Sequence, residues 1–187
     1  MKFAYADPPY LGCCGRYGHR HEAPYGCWND VQTHRLLIDN LCAKYPDGWA
    51  LSLNEPSLRV ILPMCPEDTR SGPWIKPFAV FRQGVNPAFA WEPVIWRGGR
   101  PFSRHQETVR DWWAGNITMK TGTIGAKPPG FGMWIASLLN VEFAAGDTID
   151  DLFPGSHGMT LEWESRSKQP QQIELQERPA PEHNVPV

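Results

Sequence analysis

Long hydrophobic runs are absent from this sequence of 187 residues. No apolar stretch approaches the roughly 18–20 residues that a membrane-spanning helix requires. Met1-Lys2 leads directly into a short apolar segment, so we predict no cleavable leader. CxxC pairs are also absent, and an odd set of five cysteines argues against a disulfide framework. We therefore expect a cytoplasmic protein with free thiols.

A strong net charge is also lacking, because 18 basic and 20 acidic residues give a formal charge of −2. This excludes a protein that is basic overall, so nucleic-acid binding would need a local patch. Residues 97–127 hold six basic and two acidic side chains, a local charge of +4. Trp112 and Trp113 lie among them, and aromatic rings between cationic groups suit splayed bases. The alternative is a solvated loop with inward-packed tryptophans.

No internal repeat is visible, and 41% hydrophobic with 20% charged residues is typical of one globular domain. Strand-like segments alternate with helical ones, which predicts an α/β fold. We expect a domain over residues 1–165 and a polar, proline-rich, disordered tail over 166–187. The expected strands lie at 1–6, 49–53, 74–82, 93–97 and 148–153, with residues 58–62 continuing the alternation. The expected helices lie at 30–44, 131–139 and 157–164, and either Asn29 or Asp30 is expected to cap the first of them.

The first ten residues carry the most information about chemistry. An apolar strand runs straight into Asp7-Pro8-Pro9-Tyr10. The prolines fix φ and remove two N–H donors, so this turn presents only acceptor oxygens beside an aromatic face. Convergent acceptors next to a stacking surface suit a planar ligand with an exocyclic amino group, such as adenine or cytosine. The alternative is an ordinary proline-stiffened turn.

These four residues resemble the catalytic motif of S-adenosylmethionine-dependent amino-methyltransferases, which methylate adenine N6 or cytosine N4 in nucleic acid. Residues 146–158 resemble the same family's cofactor motif, in which a strand ends in an acidic-x-Phe-x-Gly-Ser-Gly turn. Lys127-Pro128 matches a family position near the cofactor carboxylate. The resemblance implies that Asp7, Pro8, Pro9 and Tyr10 are catalytic, and that the cofactor pocket includes Asp7, Lys127, Asp151, Phe153, Gly155, Ser156 and Gly158.

The catalytic motif precedes the cofactor motif, which resembles the permuted branch of the family, including beta-type and compact phage-encoded DNA methyltransferases. The resemblance implies a Rossmann-like methyltransferase sheet with helices on both faces and permuted motif order. It also implies that the cofactor is S-adenosyl-L-methionine and that the partner is DNA. The protein is then expected to be a monomer or homodimer in a bacterial or phage-infected cell. In this layout residues 97–127 recognise the target, and the expected DNA contacts are Arg100, Arg104, Arg110, Trp112, Trp113 and Lys120.

In this resemblance Asp7 and the Pro8 carbonyl accept hydrogen bonds from the target amino group, and Tyr10 stacks on the base. Asp at position 7 and Tyr at position 10 favour adenine N6 in DNA, while cytosine N4 and RNA stay open. Two features depart from the family. His157 replaces a glycine, and the chain ends before the strand that usually carries a ribose-binding acidic residue. Both favour an alternative, a non-catalytic nucleic-acid-binding partner subunit.

Soft metal ligands occur in the loop over residues 11–29. They are Cys13, Cys14, His19, His21 and Cys27. Their spacing matches no familiar zinc finger or ribbon, so we predict no metal site. A loop of this length in a compact domain is usually functional or mobile, and we expect it to close over a flipped base.

Overall fold

The fold is organised around one six-stranded mixed sheet. The structure is a computed structural model that describes residues 1–13, 27–78, 83–118 and 126–168. In chain order the strands are β1 (Lys2–Ala6), β2 (Gly48–Ser52), β3 (Arg70–Ile75), β4 (Trp91–Gly98), β5 (Trp113–Ala114) and β6 (Thr148–Asp151). Their order across the sheet is β5-β3-β4-β2-β1-β6.

Strand direction decides which residues meet at each edge of the sheet. β4 runs antiparallel to both of its neighbours, whereas β1 pairs in parallel with β2 and β6, and β3 with β5. Ser52 at the end of β2 therefore pairs with Val94 near the start of β4, and Ile75 at the end of β3 pairs with Trp91. We call this the carboxyl edge, since the parallel strands end there and β4 begins there.

Helices cover both faces of the sheet. They are α1 (Val31–Lys44), α2 (Glu55–Ile61), α3 (Phe131–Leu138) and α4 (Gly158–Ser167). Side chains alternate along β1, so that Phe3 and Tyr5 join the core beneath α3 and α4. Ala4 and Ala6 belong to the core beneath α1 and α2. This mixed α/β arrangement is compatible with a Rossmann-like fold.

Polar caps fix where the two helices on one face begin. The side chain of Asp30 accepts a hydrogen bond from the backbone N–H of Gln32 and caps α1. Asn54 caps α2 in the same way by accepting from the N–H of Ser57 at 3.1 Å. Asp30 was an expected cap, and α1 ends at Lys44 as the sequence predicts.

Several expected elements differ from the observed ones. Residues 58–62 belong mostly to α2 rather than to a strand, because this segment forms the connection that crosses from β2 to β3. The strand expected at 74–82 is displaced to Arg70–Ile75, where it pairs with β4, and residues 79–82 lie outside the described residues. The last helix continues past residue 165 to Ser167, and the tail expected over 166–187 lies outside the described residues from 169 onward.

No helix among the described residues combines the length and the apolar character needed to cross a membrane.

A buried ion cluster holds together the edge of the sheet opposite the carboxyl edge. The side chain of Asp147 is fully buried and accepts hydrogen bonds at 2.6 Å from both the amino group of Met1 and Nη2 of Arg100. It also accepts from the N–H of Glu142 at 2.9 Å. Burial raises the pKa of Asp147, but the hydrogen bonds from Arg100 and Met1 outweigh this effect and bring it to about 2.

We predict that this cluster makes stability depend on pH in the acid range. A folded-state pKa of about 2, against an ordinary value of 3.8, gives stability that is complete above pH 4 and is lost as the pH falls to 2. The loss from this group is about 2 kcal/mol. Urea denaturation at pH 6 and pH 2.5 measures it, and Asp147→Asn should flatten this pH dependence and destabilise the protein by about 3 kcal/mol at pH 6.

The matched control for Asp147 is Asp68→Asn, which breaks an ion pair with Arg97 in which the Asp68 side chain is 61% exposed. Exposed pairs contribute about 0–1 kcal/mol, so this variant should stay close to the wild type. Equal losses in both variants would show that the Asp147 cluster does not anchor this edge.

Candidate active site

The two motif turns leave the sheet side by side. β1 and β6 are hydrogen-bonded neighbours, with Tyr5 opposite Asp151 and the N–H of Leu152 donating to the Tyr5 carbonyl at 3.0 Å. Residues 7–10 follow β1, and residues 153–158 follow β6. Because parallel strands end at the same edge, two segments that are far apart in sequence meet at the carboxyl edge.

Asp7 is held by a lysine and a tyrosine. Lys127 Nζ donates to Asp7 Oδ1 at 2.9 Å and to the Tyr10 hydroxyl oxygen at 3.0 Å. The Tyr10 hydroxyl lies 3.2 Å from the same Oδ1. The Lys127 side chain is 6% exposed and that of Asp7 is 21% exposed, so the pair is largely withdrawn from water. Neither of these contacts uses Asp7 Oδ2.

Glu92 and Lys76 complete the polar cluster. Lys76 Nζ donates to Glu92 Oε1 at 2.7 Å, and Glu92 Oε2 accepts from the Tyr10 hydroxyl at 2.9 Å. Lys127 Nζ lies 3.6 Å from the same Oε2. Since a hydroxyl has one proton, the shorter contact makes Glu92 the preferred acceptor of Tyr10. No local pattern in the sequence indicates either residue, because Glu92 approaches the Asp7 cluster only if β4 runs opposite to its neighbours.

Aromatic rings surround the Lys127 ammonium. Nζ lies 5.6 Å from the ring centroids of Tyr10 and Trp74 and 5.8 Å from that of Phe131. Trp113 packs edge-on against Phe131, with centroids 5.8 Å apart. Rings at these distances attract a cation and exclude water around it. Trp113, expected to contact DNA, is therefore part of the wall that encloses Lys127.

The pKa values of the two carboxylates in this cluster are shifted in opposite directions. Burial raises the pKa of Asp7, and nearby Glu92 adds to that rise, while the Lys127 ammonium opposes it. Burial also acts to raise the pKa of Glu92, but the ammonium groups of Lys127 and Lys76 more than offset it and hold the pKa below its usual value. Burial, followed by the charges of Asp7 and Glu92, raises the pKa of Tyr10, which stays a neutral hydroxyl.

The turn after β6 is built around Asp151. Its carboxylate accepts hydrogen bonds at 3.2 Å from the N–H of Phe153 and from Thr160 Oγ1 in the first turns of α4. Burial raises the pKa of Asp151, although both hydrogen bonds oppose that rise. The Phe153 ring packs edge-on against Trp28, with centroids 5.3 Å apart. Trp28, which the sequence analysis did not single out, thus ties the end of the 11–29 loop to this turn.

His157 adopts a backbone conformation that favours glycine. Its φ is 58°, in the left-handed region, and it directly precedes α4. Gly155, with φ of 46°, is the other left-handed residue of this turn. Ser156 and Gly158 are exposed beside them. His157, which stands where the resembled motif has glycine, therefore takes a conformation that glycine adopts without steric cost.

Hydrogen bonds join the start of α3 to α4, the helix that follows this turn. Glu162 Oε1 of α4 accepts from the N–H of Gly130 at 3.0 Å, and Trp163 Nε1 donates to the carbonyl of Gly132 at 2.9 Å. An added Cβ on Gly132 would lie 2.7 Å from Glu162 Oε2 and 3.3 Å from Trp163 Nε1, so α4 packs closely against this glycine. The first N–H groups of α4 lack intrahelical acceptors, so this helix end is a donor suited to an anion.

The residues expected to contact DNA do not form one surface. Arg100 bonds to Asp147 at the edge opposite Asp7, and its side chain is only 26% exposed. This places its guanidinium in a structural ion pair, about one strand length from the site, or roughly 17 Å.

The remaining expected DNA contacts are more accessible. Arg104 is exposed, and the Arg110 guanidinium stacks 5.2 Å from the ring of Trp112, which is 39% exposed. Lys120 lies outside the described residues.

The thiol-rich loop is described only at its ends. Cys13 accepts a weak hydrogen bond from Asn54 Nδ2 at 3.7 Å, while Cys14, His19 and His21 lie outside the described residues. Across the described ranges, no three His, Cys, Asp or Glu side chains are arranged to hold a metal ion.

Comparisons with known proteins add no assignment. No protein-family model matches the chain, and no curated protein is similar to it in sequence. The residues at the carboxyl edge are therefore the basis for assigning a function.

We predict that His157→Gly stabilises the protein by about 0.5–1 kcal/mol, because it removes left-handed strain that exceeds the entropy glycine gains on unfolding. Chemical denaturation of both proteins measures the change. Ser156→Gly is the matched control, since φ at Ser156 is not positive and glycine there should destabilise slightly. A His157→Gly variant no more stable than the wild type would show that this backbone is unstrained.

Proposed function

We propose that the protein is an S-adenosylmethionine-dependent methyltransferase that modifies an exocyclic amino group of a base in DNA, with adenine N6 as the favoured atom. One observation carries this proposal. The turns at residues 7–10 and 153–158 follow neighbouring parallel strands, so a group bound at one faces a group bound at the other. Motifs in permuted order along the chain are thereby adjacent in space, as a Rossmann-like methyltransferase requires.

The residues present fit the methionine end of the cofactor. Lys127 and the first N–H groups of α4 are donors for its carboxylate. An added Cβ would make only an ordinary contact at Gly155, at 3.7 Å, and at Gly158, at 3.6 Å, so neither position is crowded. When bound, S-adenosylmethionine supplies an electrophilic methyl group on a sulfonium.

The turn at residues 7–10 acts on the target base through its acceptors. Asp7 and the Pro8 carbonyl each accept an N–H of the amino group, which directs the nitrogen lone pair toward the methyl donor. Preorganised acceptors stabilise the positive charge that develops on this nitrogen. The partial burial of Asp7 strengthens both effects, because water competes less for its oxygens. No covalent bond to the protein is required.

Tyr10 supplies the stacking face. Its hydroxyl is fixed by Glu92 and Lys127, so the ring is held in one orientation at the carboxyl edge. A base inside a duplex cannot reach this edge, and the target must leave the stack at a cost of a few kcal/mol. Exposed Arg110 and Trp112 supply a cation and a ring for phosphates and bases of the DNA.

A second candidate function is a non-catalytic, nucleic-acid-binding partner subunit of the same fold. It is favoured by the side chain at His157, which projects from a left-handed position in the turn. It is also favoured by the sheet, because among the described strands β6 is outermost and no further strand offers a ribose-binding acid.

Asp7→Ala should reduce methyl transfer by about 100-fold or more, because it removes an acceptor needed chiefly in the transition state. DNA from cells that express each protein is digested and its methylated nucleosides are measured by mass spectrometry. Asp39→Ala, which changes an exposed carboxylate of α1, is the control and should retain full activity. N4-methylcytosine in place of N6-methyladenine would make the base assignment wrong, and neither product from the wild type would favour the partner-subunit function.

Lys127→Met should weaken S-adenosylmethionine binding by about 1.5–3 kcal/mol, the range for a hydrogen bond to a charged group. Methionine keeps the buried stem against Trp74 and Phe131 while removing the ammonium. Isothermal titration calorimetry measures the affinity. Lys168→Met is the control, since that side chain is 74% exposed at the far end of α4. Equal affinities in all three proteins would remove Lys127 from the cofactor site.

A further inference from the structure

The Lys127 ammonium holds one oxygen of the carboxylate that a target base needs. It lies 2.9 Å from Asp7 Oδ1, and it also lies 3.6 Å from Glu92 Oε2. In the proposed function the amino group of the base donates to Asp7. Lysine and base therefore share one carboxylate, and if the base takes Oδ1, the Lys127 donor released there needs an acceptor in addition to the cofactor carboxylate.

Glu92 is fixed in place more firmly than Asp7. Its Oε1 is held at 2.7 Å by Lys76, whose side chain is 9% exposed. Backbone pairing holds the two residues together, since Ile75 is opposite Trp91 and the N–H of Lys76 donates to the Ala90 carbonyl at 2.8 Å. The Glu92 carboxylate is thus held between two neighbouring strands, and its Oε2 contacts Tyr10 and Lys127.

We propose that Glu92 is a positioning residue of this site, which holds the Tyr10 hydroxyl and takes the Lys127 ammonium when the base engages Asp7. This inference rests on the proposed function for the identity of the base. A small movement of Nζ toward Oε2 brings it within hydrogen-bond range, and Lys127 keeps its aromatic surroundings during that movement. Lys76 neutralises Glu92 from the other side, so that Glu92 stays ionised without drawing Lys127 away from Asp7 beforehand.

A Glu92→Gln variant tests the proposal by removing the charge and keeping the shape. Glutamine has no negative charge, so Lys127 should bind Asp7 alone and the repulsion between the two carboxylates should disappear. Both changes should lower the pKa of Asp7. Carbon-13 NMR titration of the Asp7 carboxyl measures this directly and needs no substrate. In steady-state kinetics the KM for DNA should rise about tenfold with kcat within about twofold, the pattern of binding lost equally from the bound and transition states.

Glu164→Gln is the matched control, because its carboxylate is 52% exposed on α4 and pairs only with Lys168 among the described residues. It should leave the Asp7 titration and both kinetic constants unchanged. An unchanged Asp7 titration in Glu92→Gln, or a loss of kcat with KM unaltered, would overturn the positioning role. Wild-type protein that methylates no DNA would defeat the proposed function, while the Asp7 titration would still decide the role of Glu92.

Lys76→Met provides a second variant if Glu92→Gln does not fold. It leaves both carboxylates in place but removes the cation that neutralises Glu92. Lys127 should then move toward Glu92, and the pKa of Asp7 should rise, opposite in direction to its change in Glu92→Gln. A fall, or no change, in the Asp7 pKa of Lys76→Met would overturn the proposal independently.

Discussion

The hydrogen-bonded pairing of β1 with β6 is the constraint on which the site depends. It joins the first strand of the described fold to the last and brings the turns after Ala6 and Asp151 to one place. The buried Asp147 cluster stabilises the start of the same strand pair. In it the amino group of Met1, just before β1, binds the carboxylate of Asp147, just before β6. Any change that shifts this register moves one turn relative to the other, and the two no longer face a common ligand.

The site balances two buried cations against two carboxylates. Charges withdrawn from water are costly unless they are paired, and here Lys76, Lys127, Asp7 and Glu92 pair in a chain that Tyr10 bridges. Such a chain can exchange partners without leaving any charge unpaired. The aromatic rings around Lys127 keep the exchange out of water, which makes each pairing both stronger and more specific.

Sequence reasoning predicted the features that depend on neighbouring residues. The strand before Asp7, the cap at Asp30, helix α1, and the last strand and helix all follow from local patterning and are confirmed. Features that depend on strand direction could not be predicted in this way. The reversal of β4 brings Glu92 and Lys76 beside Asp7, and no local pattern shows that reversal. The connection after β4 places Arg100 in the ion pair with Asp147, whereas Trp113 turns inward toward Phe131. The proposed methyl transfer itself stays a prediction.

The outer strands of the sheet have a further consequence for the behaviour of the protein in solution. Among the described strands β5 and β6 are the shortest, with two and four residues. Each exposes few unpaired backbone groups, and β6 carries the carboxylates of Asp150 and Asp151. Short and charged edges are poor templates for an incoming strand, so they disfavour edge-to-edge aggregation. The short outer strands thereby protect the sheet against the addition of strands from other molecules, even though its interior strands are strongly apolar.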